Sequence, residues 1–102
     1  MIVLGIDPGT VAMGYGVIES SDGDVALVDS GAIKCKKNFS IGERLCFLYQ
    51  GLGQIIAKYR PDAVAVEQPF MAKNTKSAFD IGKAQAVAIL TAESNGIPVY
   101  EY

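Results

Sequence analysis

Ile2-Val3-Leu4-Gly5-Ile6-Asp7-Pro8-Gly9-Thr10 opens the chain, and its reading decides the fold. Ile2, Leu4 and Ile6 alternate with Val3, Gly5 and Asp7, the two-residue period of a strand with one apolar face. Proline disfavours helical backbone at the residue before it, so the strand runs on to the Asp7 carboxylate. Pro8-Gly9 then turns the chain. Outward from there, residues 14–19 read as a second strand and residues 20–24 as a hairpin turn with Asp22-Gly23 at its tip. Residues 25–33 form a third strand, in which Gly31 is expected to mark a bulge. The three make an antiparallel meander.

The pattern then changes period. Ser40-Ile41-Gly42-Glu43 fits a capping box, in which serine and glutamate side chains satisfy the free amides of a helix start. Ile41, Leu45, Leu48, Leu52, Ile55, Ile56 and Tyr59 follow at steps of three and four and draw one apolar stripe. Gly51 and Gly53 each weaken this helix by about 1 kcal/mol relative to alanine, so tertiary packing must hold it. Pro61 ends it. Residues 62–67 are a short, nearly all-apolar run suited to a buried central strand. A second helix opens at Asn74 or Thr75 and stops at Asn95-Gly96. Its Ala78, Gly82 and Ala86 form a small-residue seam, and its apolar middle is expected to be buried on more than one side. A last strand begins within residues 97–102. Strand-helix-strand order demands a parallel pair with a right-handed crossover. The expectation is an α/β domain over residues 1–102: a mixed five-stranded sheet, three antiparallel strands and then parallel ones, with packing helices.

Composition narrows the function. The chain has 102 residues, half of them hydrophobic and a fifth charged, which excludes a disordered linker. No apolar run approaches the ~20 residues of a membrane span, and the start has no signal-peptide pattern. Two cysteines, Cys35 and Cys46, are too few for a disulfide framework or, without histidine, a structural zinc site, so a reduced, cytoplasmic protein is expected. The absence of histidine also excludes Ser-His-Asp and Cys-His catalysis within the chain. Nine basic residues against eleven acidic ones give a net charge of −2, which argues against a generic polyanion binder. The charges are nevertheless segregated. Asp22, Asp24 and Asp29 gather in one stretch, whereas Lys34, Lys36, Lys37 and Lys73, Lys76, Lys83 form basic ones.

Two carboxylates stand out, Asp7 at the end of the first strand and Glu67 at the end of the fourth. If those strands are parallel neighbours about 4.8 Å apart, both acids face one point in space. Magnesium is bound by one or two carboxylates plus waters, so such a pair suits it; equally, each acid could simply cap a turn. Phe70 and Met71, in the loop before the second helix, suit either a wedge between bases or a place in the core. Lys76 and Lys83, seven apart on one helix face, suit either phosphate contacts or plain solvation.

Taken in order, the residues resemble a family. The opening stretch, Gly14-Tyr15-Gly16-Val17-Ile18, Asp29-Ser30-Gly31, Glu43-Arg44-Leu45, Tyr59-Arg60-Pro61-Asp62, Val66-Glu67-Gln68, Phe70-Met71-Ala72-Lys73-Asn74, Ser77-Ala78, Gly82-Lys83-Ala84 and Pro98-Val99-Tyr100-Glu101-Tyr102 are similar to RuvC-type Holliday junction resolvases. The resemblance spans the whole chain. It implies a ribonuclease-H-like fold and a homodimeric endonuclease for DNA recombination and repair. Such an enzyme resolves four-way DNA junctions with Mg²⁺ or Mn²⁺, two ions per complete site. Branch-migration proteins are implied as further partners. It implies that Asp7 and Glu67 are catalytic and bind metal, that Phe70 unstacks bases at the crossover, and that Met71, Lys73, Asn74, Lys76 and Lys83 contact DNA.

The sequence departs from the family pattern in two ways. An Asp-x-x-Asp pair and further lysines that the family carries on later helices are not among these residues, and Val11 stands where relatives often have a basic side chain. The expectation is therefore a catalytic domain without its C-terminal helices and with little cleavage of its own. An RNA-directed relative of the same fold and a phosphate-binding domain of the actin-like ATPase type are the alternatives.

Overall fold

In the computed structural model, which describes residues 1–68 and 75–102, the opening stretch is strand β1 (Ile2–Asp7). It is followed by β2 (Ala12–Ser21) and β3 (Asp24–Lys34). The hairpin between β2 and β3 turns through Asp22 (φ 50°) and Gly23 (φ 86°). Two consecutive positive φ angles match the right-handed twist of the flanking strands. The meander is thus longer than expected at β2, by two residues at each end. Its bulge also lies elsewhere. Val17 pairs with Asp29 and Ile18 with Leu27, so Val28 is the extra residue. Gly31 stays in register opposite Tyr15. A side chain there is refused for a different reason: its Cβ would lie 2.9 Å from the Tyr15 hydroxyl oxygen.

Helix α1 (Ile41–Tyr59) starts with the capping box in both directions. Glu43 N–H donates to Ser40 Oγ (3.2 Å) and Ser40 N–H to Glu43 Oε1 (2.8 Å). Those bonds hold the Glu43 carboxyl below its ordinary pKa, the backbone bond from Ser40 contributing most. The helix ends at Arg60 in the left-handed conformation, just before Pro61. Strand β4 (Ala63–Val66), helix α2 (Thr75–Ser94) and strand β5 (Val99–Glu101) complete the chain.

The sheet order is β3-β2-β1-β4-β5. β1 lies antiparallel to β2 and parallel to β4, and β4 is parallel to β5. This is the mixed five-stranded arrangement the element order implies. Leu4, Ile6, Met13, Val17, Val64 and Val66 are buried on one face, together with Leu48, Leu52 and Ile56 of α1 and Ala84, Ala88 and Ala92 of α2. The expected seam on α2 is displaced. Ala78 and Ala86 are exposed, and the alanines two positions further along the register touch the core. A helix rich in small apolar residues offers several such seams, and the packing against α1 chooses one. The opposite side of α2 is open among the described residues: Phe79 is 66% exposed and Leu90 63%. Ile41, the first residue of the α1 stripe, is exposed as well.

Candidate metal centre at the strand ends

Strand order puts the two acids side by side. β1 and β4 pair in parallel from Val3 with Ala63 to Ile6 with Val66. Glu67 N–H then donates to Ile6 O at 2.9 Å, so the ladder continues one residue past β4. Asp7 and Glu67 therefore occupy matching positions on neighbouring strands, about one strand spacing (~4.8 Å) apart. Alternation decides the face. Leu4, Ile6, Val64 and Val66 point into the helix-covered core, so Asp7 and Glu67 share the other face with Val3, Gly5, Ala63 and Ala65. Asp7 is exposed and Glu67 half-buried.

Among the described residues that face is bare beside Asp7. The residue opposite it on β2 is Gly14, and Gly5 pairs with Gly16. A groove of ≈ 520 Å³ runs over Gly5, Asp7, Gly14 and Gly16, with Tyr102 also in its lining. Tyr102 is held there by its backbone: its N–H donates to Val66 O (3.1 Å) and its C=O accepts from Gln68 N–H (2.7 Å). The glycines leave the carboxylate uncovered, and a Cβ at Gly14 would come 3.6 Å from that of Asp7. Hard oxygen donors on an open, matched strand end fit a magnesium-like cation, which keeps several waters and takes one or two carboxylates. Among the described residues no group of three or more His, Cys, Asp and Glu side chains is close enough to hold an ion by itself. What the strand ends offer is two carboxylates.

A second groove, ≈ 540 Å³, lies between the start of α1 and the first turns of α2. Lys76 and Lys83 both line it, as their spacing on one helix face requires, along with Thr10, Phe39, Arg44 and Asp80. Asp80 sits between the two lysines and moderates the basic character; sequence reading gave it no role. Phe70, Met71, Lys73 and Asn74 lie outside the described residues. Tyr102 and Arg44 were also missed as site neighbours. For Tyr102 the only signal was its place at the end of the last strand, which takes a partner strand to become a location. Both cysteines are free, Cys46 exposed and Cys35 half-buried, and burial pushes the Cys35 thiol up in pKa, away from a reactive thiolate.

Comparison with known proteins agrees with this architecture. Residues 3–102 match the family of crossover junction endodeoxyribonuclease RuvC. The RuvC protein of Dehalococcoides mccartyi is 49% identical over all 102 residues, which span 62% of its length. That of a Roseiflexus species is 46% identical over 99 residues, 59% of its length. T. thermophilus RuvC, solved in complex with a Holliday junction substrate, superposes with a TM-score of 0.91 at 29% identity over the whole of this chain and 65% of that one. The chain thus spans less than two thirds of the length of these relatives. Its five-stranded sheet is the ribonuclease-H-like sheet of that structure, and with a family match running from residue 3 to residue 102 the chain belongs to the RuvC family of crossover junction endodeoxyribonucleases.

Proposed function

We propose that these residues form the core of a structure-specific endonuclease that resolves four-way DNA junctions by metal-dependent hydrolysis of phosphodiester bonds. The observation that carries the reading is the parallel, in-register pairing of β1 with β4, which sets Asp7 beside Glu67 on an open face. Asp7 and Glu67 would hold a magnesium or manganese ion. The chemistry such an ion supplies is Lewis-acid polarisation of the phosphodiester and activation of water. The chain's own residues do the rest. The two carboxylates hold the cation, and the glycine floor gives a sugar-phosphate backbone close access. Lys76 and Lys83 pair with flanking phosphates in the second groove, fixing register without reading sequence. Phe70 and Met71 act as the apolar wedge at the crossover, with Lys73 and Asn74 holding the adjacent backbone.

In this reading Asp7 and Glu67 serve one ion, and a two-ion site needs carboxylates besides these two. With one ion held, these residues bind metal and junction DNA but cleave slowly. The exposed Phe79, Ala86 and Leu90, on one side of α2, support a homodimer with one active site for each of the two strands to be cut. Work in the cytoplasm beside branch-migration proteins completes the proposal. Among the described residues no helix is long and apolar enough to cross a membrane.

The test is a Mn²⁺ titration of the chain followed by electron paramagnetic resonance, paired with gel shifts on a four-way junction, a linear duplex and an RNA hairpin. Asp7→Asn and Glu67→Gln should each weaken Mn²⁺ binding by about tenfold or more, since even residues that only orient a ligand change affinity by that much. The junction should be retained in preference to either competitor, and less so by Phe70→Ala. Manganese affinity indifferent to both acids refutes the metal centre. Preference for the RNA hairpin moves the substrate to RNA.

A further inference from the structure

We propose that Arg44 is the positioning residue for the turn behind Asp7, and through it for the cation site; this rests on the metal-centre reading above. Arg44 lies one turn into α1 and is half-buried. Its guanidinium donates to three backbone carbonyls: Nε to Phe39 O (3.2 Å), Nη1 to Thr10 O (3.1 Å) and Nη2 to Lys37 O (3.2 Å). Two of these belong to the loop entering its own helix. The third is far away in sequence and three residues past Asp7.

The base of the clamp is rigid. Arg44 N–H is the first helical bond to Ser40 O (2.9 Å), and the reciprocal Ser40–Glu43 cap fixes the residues around it. Phe39 packs edge-on against Phe47, with ring centroids 5.7 Å apart. The object it holds has little slack of its own. A Cβ at Gly9 would lie 2.4 Å from the carbonyl oxygen of Ala12, so residues 8–12 close on themselves as tightly as a backbone allows. The next carbonyl, that of Val11, accepts from Cys35 N–H (3.0 Å). The carbonyls of Thr10 and Val11 are thus tied to Arg44 and Cys35, the first tie made by a side chain and the second by the backbone.

The geometry needs arginine in particular. A planar fork of five donors reaches three carbonyls at once, whereas a lysine ammonium on a flexible stem reaches one and leaves the others unpaired. With Thr10 O released, the turn gains freedom just where β1 hands over to it. Asp7 is the last residue of β1, exposed and opposite Gly14, so among the described residues no β2 side chain compensates for a loosened turn.

The experiment compares wild type, Arg44→Lys, Arg44→Ala and Tyr59→Phe. Amide hydrogen exchange and Mn²⁺ affinity are read well below each melting temperature. Arg44→Lys and Arg44→Ala should speed exchange at residues 9–12 relative to residues 63–66 and weaken Mn²⁺ binding by about tenfold, the usual scale for a group that orients a metal ligand. Tyr59→Phe, which removes a side-chain bond at the far end of α1, should leave Mn²⁺ affinity unchanged. A clamp that serves stability alone would lower the melting temperature of all three variants with no change in Mn²⁺ affinity, and that result overturns the proposal. Slow rotation of the Arg44 guanidinium in wild type, seen by nitrogen NMR, gives an answer even if a variant does not fold; a freely rotating group refutes the clamp. If wild type binds no Mn²⁺, the metal-centre reading fails, and Arg44 is judged on the exchange rates alone.

Discussion

Alanine at Gly53 and alanine at Gly51 should have opposite effects, although both lie in the middle of α1. Replacing glycine by alanine inside a helix gains about 1 kcal/mol from backbone entropy. At Gly53 a Cβ has no heavy atom within 4 Å, so that gain is realised whole. At Gly51 the same Cβ would lie 3.0, 3.1 and 3.3 Å from Cδ1, Cγ2 and Cγ1 of Ile33 on β3. Pushing a methyl group into such a contact costs about 1–3 kcal/mol, more than the propensity gain offsets at the upper end. Gly51→Ala should therefore be neutral to about 2 kcal/mol destabilised, and the two variants should differ by about 1–3 kcal/mol. Urea unfolding with a shared slope reads the difference directly, and in a melt each kcal/mol corresponds to about 4–8 °C. Trimming Cδ1 by Ile33→Val removes one of the three close contacts and should recover part of the loss in Gly51→Ala when compared with Ile33→Val alone, as a double-mutant cycle. Equal stabilisation of both single variants would show that α1 does not ride this close on β3, and the account of Gly51 as a contact glycine would be wrong.

Three further outcomes follow from named contacts. Tyr59 donates its hydroxyl to Asp29, and that bond, ahead of the Ser30 amide and Lys58, holds the Asp29 carboxyl below its ordinary pKa of 3.8. A depressed pKa contributes stability above the unfolded value and loses it as pH falls through the folded one. The destabilisation by Tyr59→Phe should therefore shrink as the pH is lowered below 3.8, measured by urea titration at a series of acid pH values. Ser40→Ala removes the cap of α1 and should cost about 1 kcal/mol by the same assay, with Glu43→Ala costing less in that background than in wild type. Leu90→Glu with Phe79→Glu should shift the chain to monomer in analytical ultracentrifugation without lowering its melting temperature, because both side chains are exposed in the monomer; a wild type that is already monomeric removes the support for a dimer through this face.

The strands and helices were legible because their signals are local. Alternation in β1, the Ser40–Glu43 box, the stop at Pro61 and the Asp22-Gly23 turn each act within a few residues, and each appears where the sequence put it. The pairing of Asp7 with Glu67 was legible as a condition: the order of elements demanded a parallel pair but did not say which strands were neighbours. Three features were not legible. The bulge lies at Val28 rather than Gly31, because the glycine is taken up by the close approach of Tyr15 and stays in register opposite it. The buried seam of α2 runs through Ala84, Ala88 and Ala92, since a helix apolar on most sides is oriented by what it packs against. Arg44 reads as one charge among nine basic residues until three carbonyls from two distant segments converge on it.

The sequence by itself determined the elements, their order and the residue types available for chemistry, with carboxylates present and histidine absent, because propensity, capping and turn geometry are short-range. Tertiary structure decided the strand order, the bare glycine face under Asp7 and the clamp on Thr10. Those depend on contacts between residues tens of positions apart, whose free energies exist only once the chain has closed around them.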